Sequence, residues 1–432
     1  MVTPGTPPPP PPPAPQPMPV PPSSPAVPAS PSSPGSASVT SSPPYAGVPP
    51  VLPRSVAELG PLLGWLHSGV SAGERLDFPS GTALPDGRLD LCKQALGPRG
   101  AALVAGALRP RAADGGPAPV RHLLLGTDGL GDEGAGAVAD RSAGTGVETL
   151  YLGCNRITAG GACRIADSLR ASEHLVTGVW LKRNPLGTGG GQAAAQLVEA
   201  AATLRTLDLV QTGLDAAGTA VLAEAMLTAA AAGRPVERLF IGGNALGPAG
   251  AAPLAALLAA GAITELYVSA ARLGDEGADL LAAGLARAPY GRTARISVAS
   301  NGIGPRAAAR LVTAAATAGV RLLDLGRVRA AGTLGAPDNH IDTEAAARIG
   351  SSLAALPHLL THLVLSHTGM RSREAHRILD TAADASTATR YVLGKGIATS
   401  VRRRLDAFSA HLPRPMAHAD VAAVRSVHRT VG

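Results

Sequence analysis

The residues in this sequence that could do chemistry are few and scattered. Cys154 and Cys163 have eight residues between them, and His358, His362 and His367 fall close together near the end of the chain. The two cysteines sit on a strand end and a helix, where free thiols behave as small buried hydrophobes. The histidines have the donors of a metal site, but at the edge of a terminal unit they read as solvated side chains. The chain holds no GxxxxGK[ST], HExxH, GxSxG or CxxC pattern. Catalysis needs converging titratable groups, and no such group of residues emerges. We therefore expect no enzyme, assign no catalytic residue, and foresee neither a metal nor a cofactor.

The elements that must carry the remaining polar and aromatic residues repeat along the chain. Ten apolar pairs with one residue between them run from Leu89/Leu91 and Leu123/Leu125 to Leu323/Leu325 and Leu363/Leu365, at steps of 27 to 40 residues. The shortest steps set a unit of 27 to 29 residues, and the longer ones need insertions. Period-two spacing puts both members of a pair on one face of a short strand. Three residues later stands Asn155, Asn184, Asn244 or Asn301, replaced in other units by Gln94, Asp128, Thr212, Ala271 or Thr368. In the ninth unit an insertion at 326–338 delays Asn339. A turn such as Gly131-Asp132-Glu133-Gly134 follows, with Asp expected as helix N-cap. Positions such as Ala278, Leu281, Ala282 and Leu285 then form one buried helix face.

The segments L-Y-L-G-C-N-R-I at 150–157, L-F-I-G-G-N-A-L-G at 239–247 and L-G-D-E-G-A at 130–135 and 273–278 resemble the leucine-rich repeat, in its ribonuclease-inhibitor-like class. The resemblance covers 89–385 and implies an α/β solenoid, a horseshoe with parallel strands on the concave face and helices on the convex face. Strands sit about 4.8 Å apart and helices about 10 Å, so the array must curve with its strands inside. A buried amide at the Asn position would satisfy backbone groups where each strand turns. Ala271 offers none, so water or backbone must compensate there.

The residue between each apolar pair faces the concave surface. Down the array this column reads Asp90, Leu124, Tyr151, Trp180, Asp208, Phe240, Tyr267, Ser297, Asp324, Val364. The chain has only ten aromatic residues, and four stand in this column. Lys93, Lys182, Arg183, Gln211, Arg238, Glu265, Arg295, Arg327 and His367 surround them. Exposed aromatic patches mark contact sites, so Tyr151, Trp180, Lys182, Arg183, Asp208, Phe240 and Tyr267 are the candidate partner-binding residues.

Of the formal charge of +7, the stretch from Arg390 onward carries eight basic residues against Asp406 and Asp420, leaving the body nearly neutral. This tail reads as a basic helical cap at 386–432. Ile397, Val401, Leu405 and Phe408 lie on one face, and Asp420 would cap a second helix bearing Val421, Val424 and Val427. Arg402, Arg403 and Arg404 offer an alternative, binding of RNA or an anionic surface. Residues 1–53 hold 22 of the 39 prolines and no charge, which implies a disordered Pro-rich arm. An N-terminal cap is expected at 54–88, with a helix through Val56, Leu59, Leu62, Leu63 and Leu66 and a hairpin of Leu76-Asp-Phe78 against Leu89-Asp-Leu91. Three cysteines, no apolar stretch of about 18 residues and no basic start before an apolar core suggest a cytoplasmic protein with no membrane span. The function expected is a scaffold or regulator that recognises a folded protein partner on the concave face. The resemblance also implies an alternative, a regulator acting like a GTPase-activating protein, although no GTPase-contacting residue carries over.

Overall fold

The computed structural model describes residues 50–110 and 118–428. The expected Pro-rich arm lies, but for its last four residues, outside them. The architecture is the expected solenoid. Thirteen strands form one sheet in chain order: β1 Leu76–Phe78, β2 Gly81–Ala83, β3 Arg88–Asp90, β4 His122–Leu124, β5 Thr149–Tyr151, β6 Gly178–Trp180, β7 Thr206–Asp208, β8 Arg238–Phe240, β9 Glu265–Tyr267, β10 Arg295–Ser297, β11 Leu322–Asp324, β12 His362–Leu365 and β13 Arg390–Leu393. From β3 onward every pairing is parallel and in register, with Leu89, Leu123, Leu150 and Val179 side by side. A helix follows each of these eleven strands. The paired apolar residues and the inward helix positions form one continuous core.

The unit count differs from the sequence reading. Arg390–Leu393 adds an eleventh parallel strand, and its helix Thr399–Phe408 buries Val401 and Leu405. Arg402 there donates to the carbonyls of Leu393 and Gly394, while Arg403 and Arg404 stay exposed. At the other end the helix Gly60–Ser68 buries Leu62 and Leu66. The hairpin is wider than expected. Gly81–Ala83 inserts between its two strands, making an antiparallel β1-β2-β3 meander. Gly81 makes this possible: its φ is 144°, and a Cβ there would meet the Asp90 carbonyl at 2.6 Å.

The asparagines form a spine beneath the strand ends. Asn184 Oδ1 accepts from the amides of Asn155 and Ile157 in the preceding unit (2.8 and 3.1 Å), and its Nδ2 donates to the Leu152 and Leu181 carbonyls (both 2.9 Å). Asn339 does the same across the insertion, accepting from Asn301 and Ile303. Where the following unit offers Ala271, backbone compensates, as Leu246 N donates to the Asn244 carbonyl (2.9 Å). Asp128 occupies a spine position as a carboxyl. Its Oδ1 accepts from Gln94 N (2.8 Å), while Oδ2 is buried without a partner. Burial pushes its pKa up to about 8, so it stands protonated, with a hydroxyl where other units have an amide donor.

The Gly-Asp-Glu-Gly aspartates do not cap their own helices. The helix Gly131–Arg141 begins before Asp132, and the Asp132 carboxylate instead accepts from Thr158 N and Oγ1 at the next helix (2.7 and 2.6 Å). Asp275 does likewise with Gly304 N. These residues link neighbouring units where the sequence suggested a local cap.

Candidate binding face

The strands place the residue between each apolar pair, Tyr151 in β5 and Trp180 in β6, in a column on the concave side. Tyr151 and Trp180 lie 6.5 Å apart, Trp180 and Phe240 5.2 Å, and Phe240 stacks on Tyr267 at 4.2 Å with the rings 2° from parallel. Phe240 reaches Trp180 across β7, which places the small Asp208 between them in the column. The rings crowd the columns on either side. Two residues on, a Cβ on Gly126 would meet the Tyr151 ring at 2.5 Å and one on Gly153 would meet Tyr151 Oη at 2.9 Å; two residues before, one on Gly178 would meet Trp180 Nε1 at 3.2 Å. Lys182 Nζ sits 5.5 Å from the Tyr151 ring centroid, a cation–π distance. Arg183 is exposed and donates to Gln211 Oε1 (2.6 Å). Asp208 Oδ1 accepts from Val210 N (2.9 Å).

The aromatic column is largely covered, with Tyr151 and Trp180 buried and Phe240 and Tyr267 half-buried. Tyr151 is 1 % exposed and Trp180 4 %, because the chain's own C-terminal segment, 409–428, lies across the concave face. It leaves the helix Thr399–Phe408 held by Arg390, which donates to the Ser409 and Leu412 carbonyls (2.8 and 2.6 Å). Arg295 then holds the Met416 carbonyl. Mid-face, a short helix, Ala419–Ala423, begins at His418. Asp420 was expected to cap that helix. Its carboxylate instead accepts from Arg238 Nη2 (2.6 Å) and Thr206 Oγ1 (3.1 Å), and Arg238 Nε also donates to Thr206 (2.8 Å). Val421 and Val424 pack against the cluster of Cys92, Leu124, Tyr151, Trp180 and Phe240. The segment ends over β3, where Asp90 accepts from Ser426 Oγ and Val427 N (3.0 and 2.5 Å) and Arg88 donates to the Arg425 carbonyl (2.6 Å).

The reach is sufficient. Ten strand spacings from β3 to β13 amount to about 48 Å, and twenty extended residues span at most about 70 Å.

Electrostatics at the face follow from this cover. The Arg238 side chain is 4 % exposed and is compensated by Asp420 and Glu237, as a buried guanidinium requires. Burial, then Glu265, whose Oε2 accepts its hydroxyl proton at 2.7 Å, pushes the Tyr267 phenol well above its usual range. Burial, then the positive charge of Arg390, holds His362 below the ordinary histidine pKa. His358, His362 and His367 bring no metal site together: among the described residues no group of three or more His, Cys, Asp or Glu could hold an ion.

Every candidate aromatic thus stands in one column, with Lys182 at its side and Arg183 at the outer edge. Sequence reasoning missed Arg238, Thr206 and Asp90 as holders of the tail. It placed Arg238 among the residues around the rings and Asp90 at the head of the column, since no periodic signal ties residue 420 to residue 238. The one available cue was the basic face lying opposite an Asp-Val-x-x-Val segment.

No protein-family model matches the chain, and no curated protein matches it. Among solved structures it is similar to a chain in the crystal structure of the Rad7 and Elc1 complex in yeast, at 14% identity, with 77% of this chain and 82% of that one covered and a TM-score of 0.41. It is also similar to the leucine-rich repeat-containing protein LegL7 from Legionella pneumophila, at 17% identity, with 68% and 92% covered and a TM-score of 0.44. Among the described residues no helix is long and apolar enough to cross a membrane. The in-register parallel strands, a helix after each of them and the asparagine spine together give the chain the fold of a leucine-rich-repeat solenoid.

Proposed function

We propose that this protein is a non-enzymatic scaffold that recognises a protein partner on its concave face, centred on Tyr151, Trp180, Phe240 and Tyr267 with Lys182, Arg183 and Asp208 around them. One observation carries the reading: the face already holds a polypeptide, and it does so through the aromatic column and Arg238. Aromatic and arginine side chains dominate the energetics of protein contacts, and the fold itself has no need of a ring ladder on its inner surface. Solenoids offer such concave surfaces to extended or folded partners.

The test is quantitative affinity capture with the full chain. Three forms are compared: wild type, a Val421→Ser/Val424→Ser form whose tail is loosened, and that form with Trp180→Ala/Phe240→Ala added. Recovery of the same partner should rise in the second and fall at least tenfold in the third. Recovery indifferent to the aromatic substitutions overturns the concave-face reading.

A further inference from the structure

The segment lying on the concave face has the features of a stand-in ligand. It pairs with no strand. His411, Pro413, Arg414, Pro415 and Met416 are exposed, and only Ser409, Ala423 and Val424 are buried. Its fit is incomplete. A cavity of about 600 Å³ remains between Leu322, His362 and Val364 on the sheet and Ser409, Ala410 and Pro415 on the segment. Away from it, on β6, the Trp180 indole N–H is buried with no hydrogen-bond partner, although buried polar atoms in native proteins are almost always paired. By contrast, the Asp420 carboxylate is held by both Arg238 and Thr206, and the two valines cover the rings.

We infer that this face is a binding site for an acidic–aliphatic polypeptide segment of a partner protein, and that residues 418–427 occupy it in competition with that partner. The inference rests on the proposed function and specifies its partner. The recognised segment carries a carboxylate for Arg238 and Thr206. Aliphatic side chains one and four residues later lie on Trp180 and Phe240, the pattern of Asp420, Val421 and Val424. A hydrogen-bond acceptor for Trp180 Nε1, which the tail fails to supply, gives the partner its advantage. A one-turn helix suits this spacing, because residues four apart share a face.

The test uses the full chain and a fluorescein-labelled peptide of its own residues 414–428, read by fluorescence anisotropy. In an Asp420→Lys/Val424→Asp chain the tail faces Arg238 with the wrong charge and is released. This variant should bind the peptide at least thirtyfold more tightly than wild type. Adding Arg238→Met to the variant, or Asp420→Asn to the peptide, should weaken binding at least tenfold. Equal affinity for wild type and variant, or indifference to Arg238, overturns the inference. If circular dichroism shows that the charged variant has lost its fold, the Val421→Ser/Val424→Ser chain takes its place under the same criteria. A wild-type chain that sediments as a dimer with exchanged tails overturns the separate partner in favour of a second copy. A partner captured through Trp180 but not displaced by the peptide sinks this inference and leaves the proposed function standing. Peptide binding alongside capture indifferent to Trp180 does the reverse.

Discussion

The spine of asparagines and the strap of residues 409–428 both run the length of the sheet, one beneath the strand ends and one across the concave face. They hold on by different means. Each asparagine of the spine joins its unit to the preceding one, as Asn184 does by satisfying two amides and bonding two carbonyls. The strap touches the array at separate points, through Arg390, Arg295, Arg238, Asp90 and a patch of rings. Contacts repeated between nearest neighbours make one cooperative body, whereas a few separate ties leave a segment that can open by itself. The contrast teaches that burial alone does not distinguish architecture from ligand, since Asn184 and Trp180 are both nearly inaccessible.

The largest effect should come from cutting the spine. Asn184→Ala leaves the Asn155 and Ile157 amides and the Leu181 carbonyl unpaired and should cost about 3 kcal/mol, measured by urea denaturation, with the repeat units lost in one transition. Repeat units lost one after another would break the comparison. Asp128 comes next. Its folded pKa of about 8 lies above the unfolded value near 3.9, so between these values the folded chain keeps a proton that the unfolded chain releases. Stability therefore falls as pH rises from about 4 to about 8. Asp128→Asn should remove that slope and gain several kcal/mol at pH 8, with no gain at pH 4. An unchanged slope would show that Asp128 is not protonated in the spine. Val424→Asp should leave the denaturation midpoint of the body within about 1 kcal/mol of wild type while protease cleavage within 409–428 rises about tenfold. A matching loss of global stability would make the strap part of the architecture. The smallest effect is expected at Ala270, one of the non-glycine residues just before the spine position that adopt a left-handed conformation, with φ 53°. Ala270→Gly, copying Gly243 in the preceding unit, should stabilise by about 0.5 kcal/mol, visible as a small rise in Tm.

The repeating part of the fold was legible because each signal recurs. One Leu-x-Leu says little, but ten in register specify strand, face and core. Asn339 could be placed despite its insertion because the neighbouring units fixed what to look for. The eleventh unit escaped notice because its pair is Tyr391/Leu393 and Gly396 stands where Asn is expected. The aspartates at 132 and 275 were misplaced because a local N-cap and a bond to the next unit have the same sequence signature. The aromatic column was visible as a column, but its cover was not. The pairing of Asp420 with Arg238 is a single long-range event, with no period to announce it and the partners 182 positions apart.

The ties of the strap at both ends have a mechanical consequence. A solenoid changes its curvature by small rotations at every interface between units, and these rotations add up along the arc. Residues 409–428 are bonded to β13 at one end and to β3 at the other, so they act as a bowstring that limits the accumulated rotation. Their displacement would therefore do more than uncover the rings: it would let the span of the whole arc adjust to the width of whatever replaces them.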